Sequence, residues 1–353
     1  MVIKKVLVKV LMLGLVSTSI ITSLIASDDS NNKRILTLER AIEAGYNMEE
    51  RTAVFSKQIQ AYNEKLKYPD SLISDIEYNT TRYSRDDILQ QKKFLKDIVA
   101  YNVTVLYDAI IMLQKQIELD ESNIKIIEKD LKQAEIKHKN GQLSQFELNQ
   151  SRARLEEIQS KQRQNLLTLT DYKSQFLNLT NININNYDEL EEDLSNKPLE
   201  YKNGINALIT INVDNYMRNA EQLLNYKKNN ILDIAQATTI TGPSVSDLYS
   251  VEASVAESEY TLEQKKKNMI EGLRTCAVEM DNLQEQIVTQ AVNIELEKDK
   301  LNILKIKYDK GYISELEISK AEQAIRELEL ARERNIYIYQ QKKIVIEKPW
   351  VRY

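Results

Sequence analysis

His138 is the one histidine and Cys276 the one cysteine in a chain of 353 residues. The side chains that most often act as bases, nucleophiles or metal ligands are therefore almost missing. A lone histidine cannot build the usual multi-histidine metal site, and a lone cysteine cannot close an intramolecular disulfide. There is no Ser/His/Asp order, no glycine-rich phosphate loop and no metal-ligand spacing. Acids and lysines are abundant, with 53 Asp+Glu against 48 Lys+Arg, but they recur at the spacing of i,i+4 pairs on helix surfaces. The sequence predicts no enzyme, no cofactor and no metal.

The chemistry that does recur is the hydrogen bonding that ends one helix and starts the next. It is written twice, as Lys139-Asn140-Gly141-Gln142-Leu143-Ser144-Gln145-Phe146-Glu147-Leu148 and as Lys310-Gly311-Tyr312-Ile313-Ser314-Glu315-Leu316-Glu317-Ile318. Gly141 and Gly311 take the left-handed position after a helix without steric cost. Ser144 and Ser314 cap the following helix, and Glu147 and Glu317, three residues on, complete capping boxes. The pairs Leu143/Leu148 and Ile313/Ile318 stand at staple positions. Each stretch is predicted to be a helical hairpin tip. A constant shift of 170 residues carries one onto the other, so the chain is a duplicated half rather than a solenoid.

Long helices must position these tips. Only 7 Gly and 4 Pro accompany 42% apolar and 29% charged residues, too few turn formers for an all-β or α/β fold. Val103, Ile110, Ile117, Ile124 and Leu131 recur every seven residues, with Leu106, Leu113, Ile127 and Ala134 on the complementary positions. Shifting by 170 gives Leu273, Met280, Ile287, Ile294 and Leu301, with Cys276, Leu283 and Leu304 beside them. Such a period implies left-handed supercoiling. The next heptad position holds His138 in one copy and Tyr308 in the other, so the histidine is expected to pack at the tip. Cys276 stands where the first copy has Leu106, and is expected to be a small buried hydrophobe. After the tips, Leu148, Leu155 and Ile158, matched by Ile318, Ile325 and Leu328, continue the seam.

In chain order, residues 1–26 have the layout of a secretory signal peptide or signal anchor: Lys4 and Lys5 precede the apolar run Val6–Ile25, with a cut expected after Ala26. A polar linker covers 27–34. The first hairpin repeat is assigned to 35–206 with its tip at 139–144, the second to 207–345 with its tip at 309–314, and a tail to 346–353. Leu36-Thr37-Leu38-Glu39-Arg40-Ala41 opens a helix expected to run to about Lys67 before Pro69 stops it. Ser84 with Asp87 is the expected cap of the long helix that follows. Residues after Leu179 form an Asn-rich and then acidic connector, and Leu208-Ile209-Thr210-Ile211-Asn212 is either a short extended segment or the start of the second repeat. A helix to about Ala235 follows. Thr241-Gly242-Pro243-Ser244 is a turn, and the second long helix starts near Ser246. The net charge of −5, with both signs scattered over helical faces, gives no nucleic-acid footprint.

Together the Leu36–Ala41 opening after a signal sequence, the two tips, the acidic connector and the duplicated hairpins resemble the TolC family of outer-membrane efflux proteins, over most of residues 35–340. The resemblance implies a homotrimer in which each protomer gives two hairpins to a hollow α-helical tunnel. It also implies that an adaptor of the membrane-fusion kind docks at the tips and links the tunnel to an inner-membrane pump. By that carry-over Asn140, Gly141, Leu143, Ser144, Lys310, Gly311, Ile313 and Ser314 would shape the docking surface, and Asp309 would line the entrance. Capping alone also accounts for the Gly, Ser and Glu residues.

The chain departs from the family in one respect. A pair of transmembrane strands needs more than about 20 residues, and neither the stretch between Pro69 and Arg85 nor that between Ala237 and Val245 offers them. The expected fold is therefore all-α, a TolC-like protomer without a transmembrane β-barrel, as a single-membrane envelope would suit. Such a protein would lie outside the cytoplasm in the cell envelope, touching membrane only through an uncleaved anchor or through partners. Two functions stay open: a tunnel component of an efflux or secretion assembly, and a non-conducting coiled-coil scaffold or adaptor.

Overall fold

The computed structural model describes residues 33–67, 74–195, 197–199, 204–237 and 242–353. The expected signal over 1–26, Pro69 and Thr241 lie outside the described residues. Ile35–Tyr353 forms one compact unit. Its elements are β1 (Ile35–Leu36), α1 (Leu38–Met48), α2 (Arg51–Leu66), α3 (Asp75–Lys139), α4 (Gln145–Thr180), β2 (Glu189–Leu190), α5 (Ile205–Asn229), α6 (Ile231–Ala237), α7 (Val245–Asp309) and α8 (Glu315–Glu347). The 170-residue shift is obeyed to the residue: it carries both ends of α3 onto both ends of α7, and the start of α4 onto the start of α8. Each long helix has 65 residues, about 97 Å at 1.5 Å per residue.

The heptad seams are where the chain buries its apolar surface. Val103, Ile110, Ile117 and Ile127 on α3, and Leu273, Cys276, Met280, Ile287 and Ile294 on α7, are all buried. Cys276 fills its predicted place, and burial pushes its thiol pKa up, so it is a packing residue and not a nucleophile. Burial thins toward the tips, where the last buried residues of the descending helices are Ile127 and Ile294.

α3 pairs with α4, α7 with α8, and α3 lies along α8, so the long helices follow the lateral order α4, α3, α8, α7. The α3–α8 seam that joins the two hairpins is mostly polar. Asp130 pairs with Lys320 at 2.6 Å and Lys115 with Glu333 at 2.7 Å. Gln323 Nε2 donates to the Leu119 carbonyl at 3.1 Å, and the small apolar cluster of Met112, Leu330 and Tyr337 interrupts these contacts. Such directional contacts fix the register of one hairpin against the other more sharply than apolar packing alone. At 1.5 Å per residue, that register sets the two tips within about 10 Å of each other along the helix axis.

Several local expectations are corrected. The cap of α3 is Ser74, whose Oγ accepts from the Glu77 N–H at 3.2 Å. Ser84 lies inside the helix. Ser74 is the counterpart of Ser244, which caps α7 with Asp247 in a full box. The first helix does not run unbroken to Lys67. It divides at Glu49 and Glu50, because the Glu49 carboxylate takes the Arg51 N–H and guanidinium and competes with the helical ladder. Leu208–Asn212 is helical, within α5, and the next break falls at Asn230. Ile209 and Val213 are fully buried against α7 and α8, while Ile211 is exposed.

The strand pair was not legible. The acidic connector returns to lay Glu189 and Leu190 parallel to Ile35 and Leu36, and Tyr107 Oη donates to the Leu36 carbonyl at 2.5 Å. The tail also docks: Lys348 Nζ and Trp350 Nε1 both reach the Asp97 carboxylate, at 2.7 and 3.0 Å.

Candidate functional site: the hairpin tips

At the first tip α3 ends on Asn140, and Gly141 takes φ 71°. Its N–H donates to the His138 carbonyl at 2.9 Å, and the Gln142 N–H reaches back to Lys137 at 2.8 Å. This pair of bonds is the Schellman closure, which satisfies carbonyls the helix end would leave open. The second tip repeats it atom for atom. Gly311 has φ 74°, and the Gly311 and Tyr312 N–H groups donate to Tyr308 and Lys307 at 2.8 and 2.9 Å.

Ser144 Oγ accepts from the Glu147 N–H at 3.2 Å, and Glu147 Oε2 accepts from the Ser144 N–H at 2.9 Å. The Ser144 N–H and then the Ser144 hydroxyl, both donating to Glu147 Oε2, hold the Glu147 carboxyl below its usual pKa. In the second copy Glu317 Oε2 accepts from the Ser314 N–H at 3.3 Å. His138 Nδ1 sits 2.9 Å from the Leu143 carbonyl, so the histidine braces the loop.

The nine residues expected to form the site therefore divide by role. Asn140 and Lys310 are helix C-caps, Gly141 and Gly311 make the turns, and Ser144 and Ser314 start the ascending helices. Leu143 and Ile313 are half-buried between the caps, and Asp309 is the exposed last residue of α7. Hydrogen bonding and, for Leu143 and Ile313, partial burial account for all but Asp309 as architecture, and any partner must meet what they hold outward.

That includes two residues the sequence reading passed over. Phe146 at the first tip and Tyr312 at the second are each 76% exposed. They are not counterparts. Leu316, equivalent to Phe146, is buried, and Gln142, equivalent to Tyr312, is polar. Phe146 and Tyr312 thus reach the surface by different routes. Position in the capping motif carries no signal for this, since Phe146 and Leu316 both stand second in their helices and only Phe146 is exposed.

A second exposed feature runs along α7. Val278, Val288, Val292, Leu296, Ile303 and Ile306 are each more than half exposed. At 3.6 residues per turn they lie within about 80° of arc, turned roughly 130° from the buried seam of Leu273, Met280, Ile287 and Ile294. α7 therefore has two apolar faces, of which only one is covered. At the opposite edge of the layer, α4 exposes Leu166, Leu167 and Leu177.

Among the described residues no cluster of His, Cys, Asp and Glu is placed to hold a metal ion, and no helix is long and apolar enough to cross a membrane. Only seven residues separate Ala237 from Val245, and eight separate Leu66 from Asp75, short of what a transmembrane strand pair needs.

No protein-family profile matches the sequence, and no curated protein matches it. Solved structures do match. A structure of CusC, describing conformational changes that accompany folding and transmembrane channel formation, aligns over 92% of this chain and 94% of its own, with TM-score 0.63 and 13% identity. The CmeC outer membrane channel of Campylobacter jejuni aligns over 92% and 90%, with TM-score 0.59 and 10% identity. The outer membrane protein VceC of Vibrio cholerae aligns over 88% and 94%, with TM-score 0.57 and 10% identity. At such identities the likeness is one of fold. The TolC-like helical hairpin fold expected from the two tips is borne out, and CusC and CmeC, which share it, are channel proteins.

Proposed function

We propose that the chain is a non-enzymatic, TolC-like component of an efflux or secretion assembly in the cell envelope. Three copies close edge to edge into an α-helical tunnel, and the hairpin tips dock an adaptor that connects it to an inner-membrane pump. The observation that carries the proposal is the uncovered apolar face of α7. A face of six large aliphatic residues on an edge helix is far more than the scattered exposure normal for a soluble surface. The opposite edge, α4, offers apolar residues of its own, so α7 of one copy against α4 of the next makes a head-to-tail contact that closes into a ring when the rotation per copy permits. The displayed rings of Phe146 and Tyr312 have the character of interface anchors, and the rigid caps beneath them limit the entropy lost on docking.

The test is the mass of residues 27–353 in solution by light scattering, with and without detergent, for the wild type and for Val292→Glu with Leu296→Glu. A wild-type trimer reduced to a monomer of unchanged helicity by the double substitution is the expected result. A monomeric wild type in both conditions removes self-assembly and leaves the non-conducting scaffold.

A further inference from the structure

Far from the tips, α2, α3, α5, α7 and the C-terminal turn enclose a cavity of about 440 Å³, within the size range of small-molecule sites. Its walls are aromatic and aliphatic: Phe55, Phe94, Tyr216, Leu262 and Trp350 line it. Trp350 stacks on Phe94 with ring centroids 4.2 Å apart, and Tyr216 leans on Phe94 at 5.7 Å. The C-terminal turn thus completes a pocket whose aromatic walls are braced by one another.

The charges at its mouth are unequal in status. Arg51 is taken by Glu49. Lys266 points to Asp214 and Glu221, at 2.7 and 2.8 Å. Lys265, the next residue along, lines the cavity and lies over the Tyr216 ring, 5.1 Å from its centroid, with Tyr216 Oη 3.4 Å away. Among the described residues no carboxylate pairs with it. The acid at the mouth, Asp87, accepts from Gln91 Nε2 at 2.7 Å and would oppose a second negative charge.

We infer that this cavity binds a monoanionic amphiphile, its apolar body against Phe94 and Trp350 and its single acidic head at Lys265. The walls supply the affinity and the ammonium selects the sign of the head group, without a new ion having to be desolvated at depth.

Trp350 is the sole tryptophan and lines the cavity, so its fluorescence reports occupancy directly. Dodecanoate and dodecyltrimethylammonium, titrated separately below their micelle thresholds into residues 27–353, share a chain length and differ in charge. Dodecanoate is expected to give a saturable change and to bind about tenfold more tightly than the cation, with the preference shrinking in 1 M salt. Lys265→Gln, at an exposed position with no carboxylate partner among the described residues, is expected to weaken dodecanoate about three- to fivefold and leave the cation unweakened. Ala220→Phe, which fills the cavity, is expected to weaken both. Absence of a saturable change in the wild type, equal affinity for the two amphiphiles, or an unchanged dodecanoate affinity in Lys265→Gln would overturn the assignment.

Discussion

Gln341 Nε2 donates to Asp108 Oδ2 at 2.9 Å across the polar seam between α8 and α3, and Asp108 is only 6% exposed. A carboxylate so placed has one strong donor and little water. Burial pushes its pKa up to about 6 against a usual 3.8, the Gln341 hydrogen bond opposing and the nearby Asp193 adding to the rise.

The pH dependence follows from the sign of that shift. The folded state holds the Asp108 proton more tightly than the unfolded chain does, so this group favours folding at low pH. That contribution is lost as pH rises from about 4 through about 6. The difference of some two units corresponds to about 2–3 kcal/mol. Asp108→Asn, which keeps the hydrogen bond to Gln341, is expected to raise stability at pH 8 by that order. Compared with the wild type, it should shift the change in urea-unfolding free energy between pH 4 and 7 by a similar amount.

At the tips the glycines are needed for conformation alone. A Cβ built on Gly141 or Gly311 meets nothing within 4 Å, yet both sit at positive φ. Gly141→Ala and Gly311→Ala should each cost about 1–2 kcal/mol, and Gly141→Asn less. Ser144→Ala, which removes the acceptor for the Glu147 N–H, should cost about 1 kcal/mol. Chemical denaturation reads all four. Equal stability of Gly141→Ala and wild type would contradict the Schellman closure.

The two tips display different positions, and this separates surface from core. Phe146→Ser and Tyr312→Ser should leave stability within about 0.5 kcal/mol of wild type. Leu148→Ser and Leu316→Ser, on buried residues, should cost about 2 kcal/mol or more. A thermal melt comparing the four would reverse the assignment if Phe146 proved costly and Leu148 neutral.

The tail is structural. Trp350→Ala removes the stacking partner of Phe94 and a donor to Asp97, and is expected to destabilise by about 2–4 kcal/mol. Asp97→Ala should lose part of this, leaving Lys348 and the indole N–H without their shared acceptor. Gly272→Ala should displace the last residue, since its Cβ would lie 2.1 Å from Tyr353 Oη. Because the contact is with the far end of the Tyr353 side chain, which can swing aside, the effect on global stability should be small, and exchange of the neighbouring amides should rise.

The sequence by itself determined the class of this protein, its internal symmetry and the chemistry of its tips. These rest on local physics: a glycine that alone tolerates positive φ, a serine and glutamate three residues apart that close a helix start, and a seven-residue period that commits one face to burial. The same 170-residue shift that matched the tips also pairs Ser74 with Ser244, so the start of α3 was legible to that logic, although Ser84 offers the same local pattern. Tertiary structure decided what no local rule encodes. The pairing of Ile35 with Glu189 depends on where a connector of more than 150 residues' separation returns. The order of the four long helices follows from polar contacts such as Asp130 with Lys320, at 190 residues' remove. That order makes α7 an edge helix and leaves its second apolar face uncovered. Periodicity finds apolar faces, but only packing tells which of them has a partner.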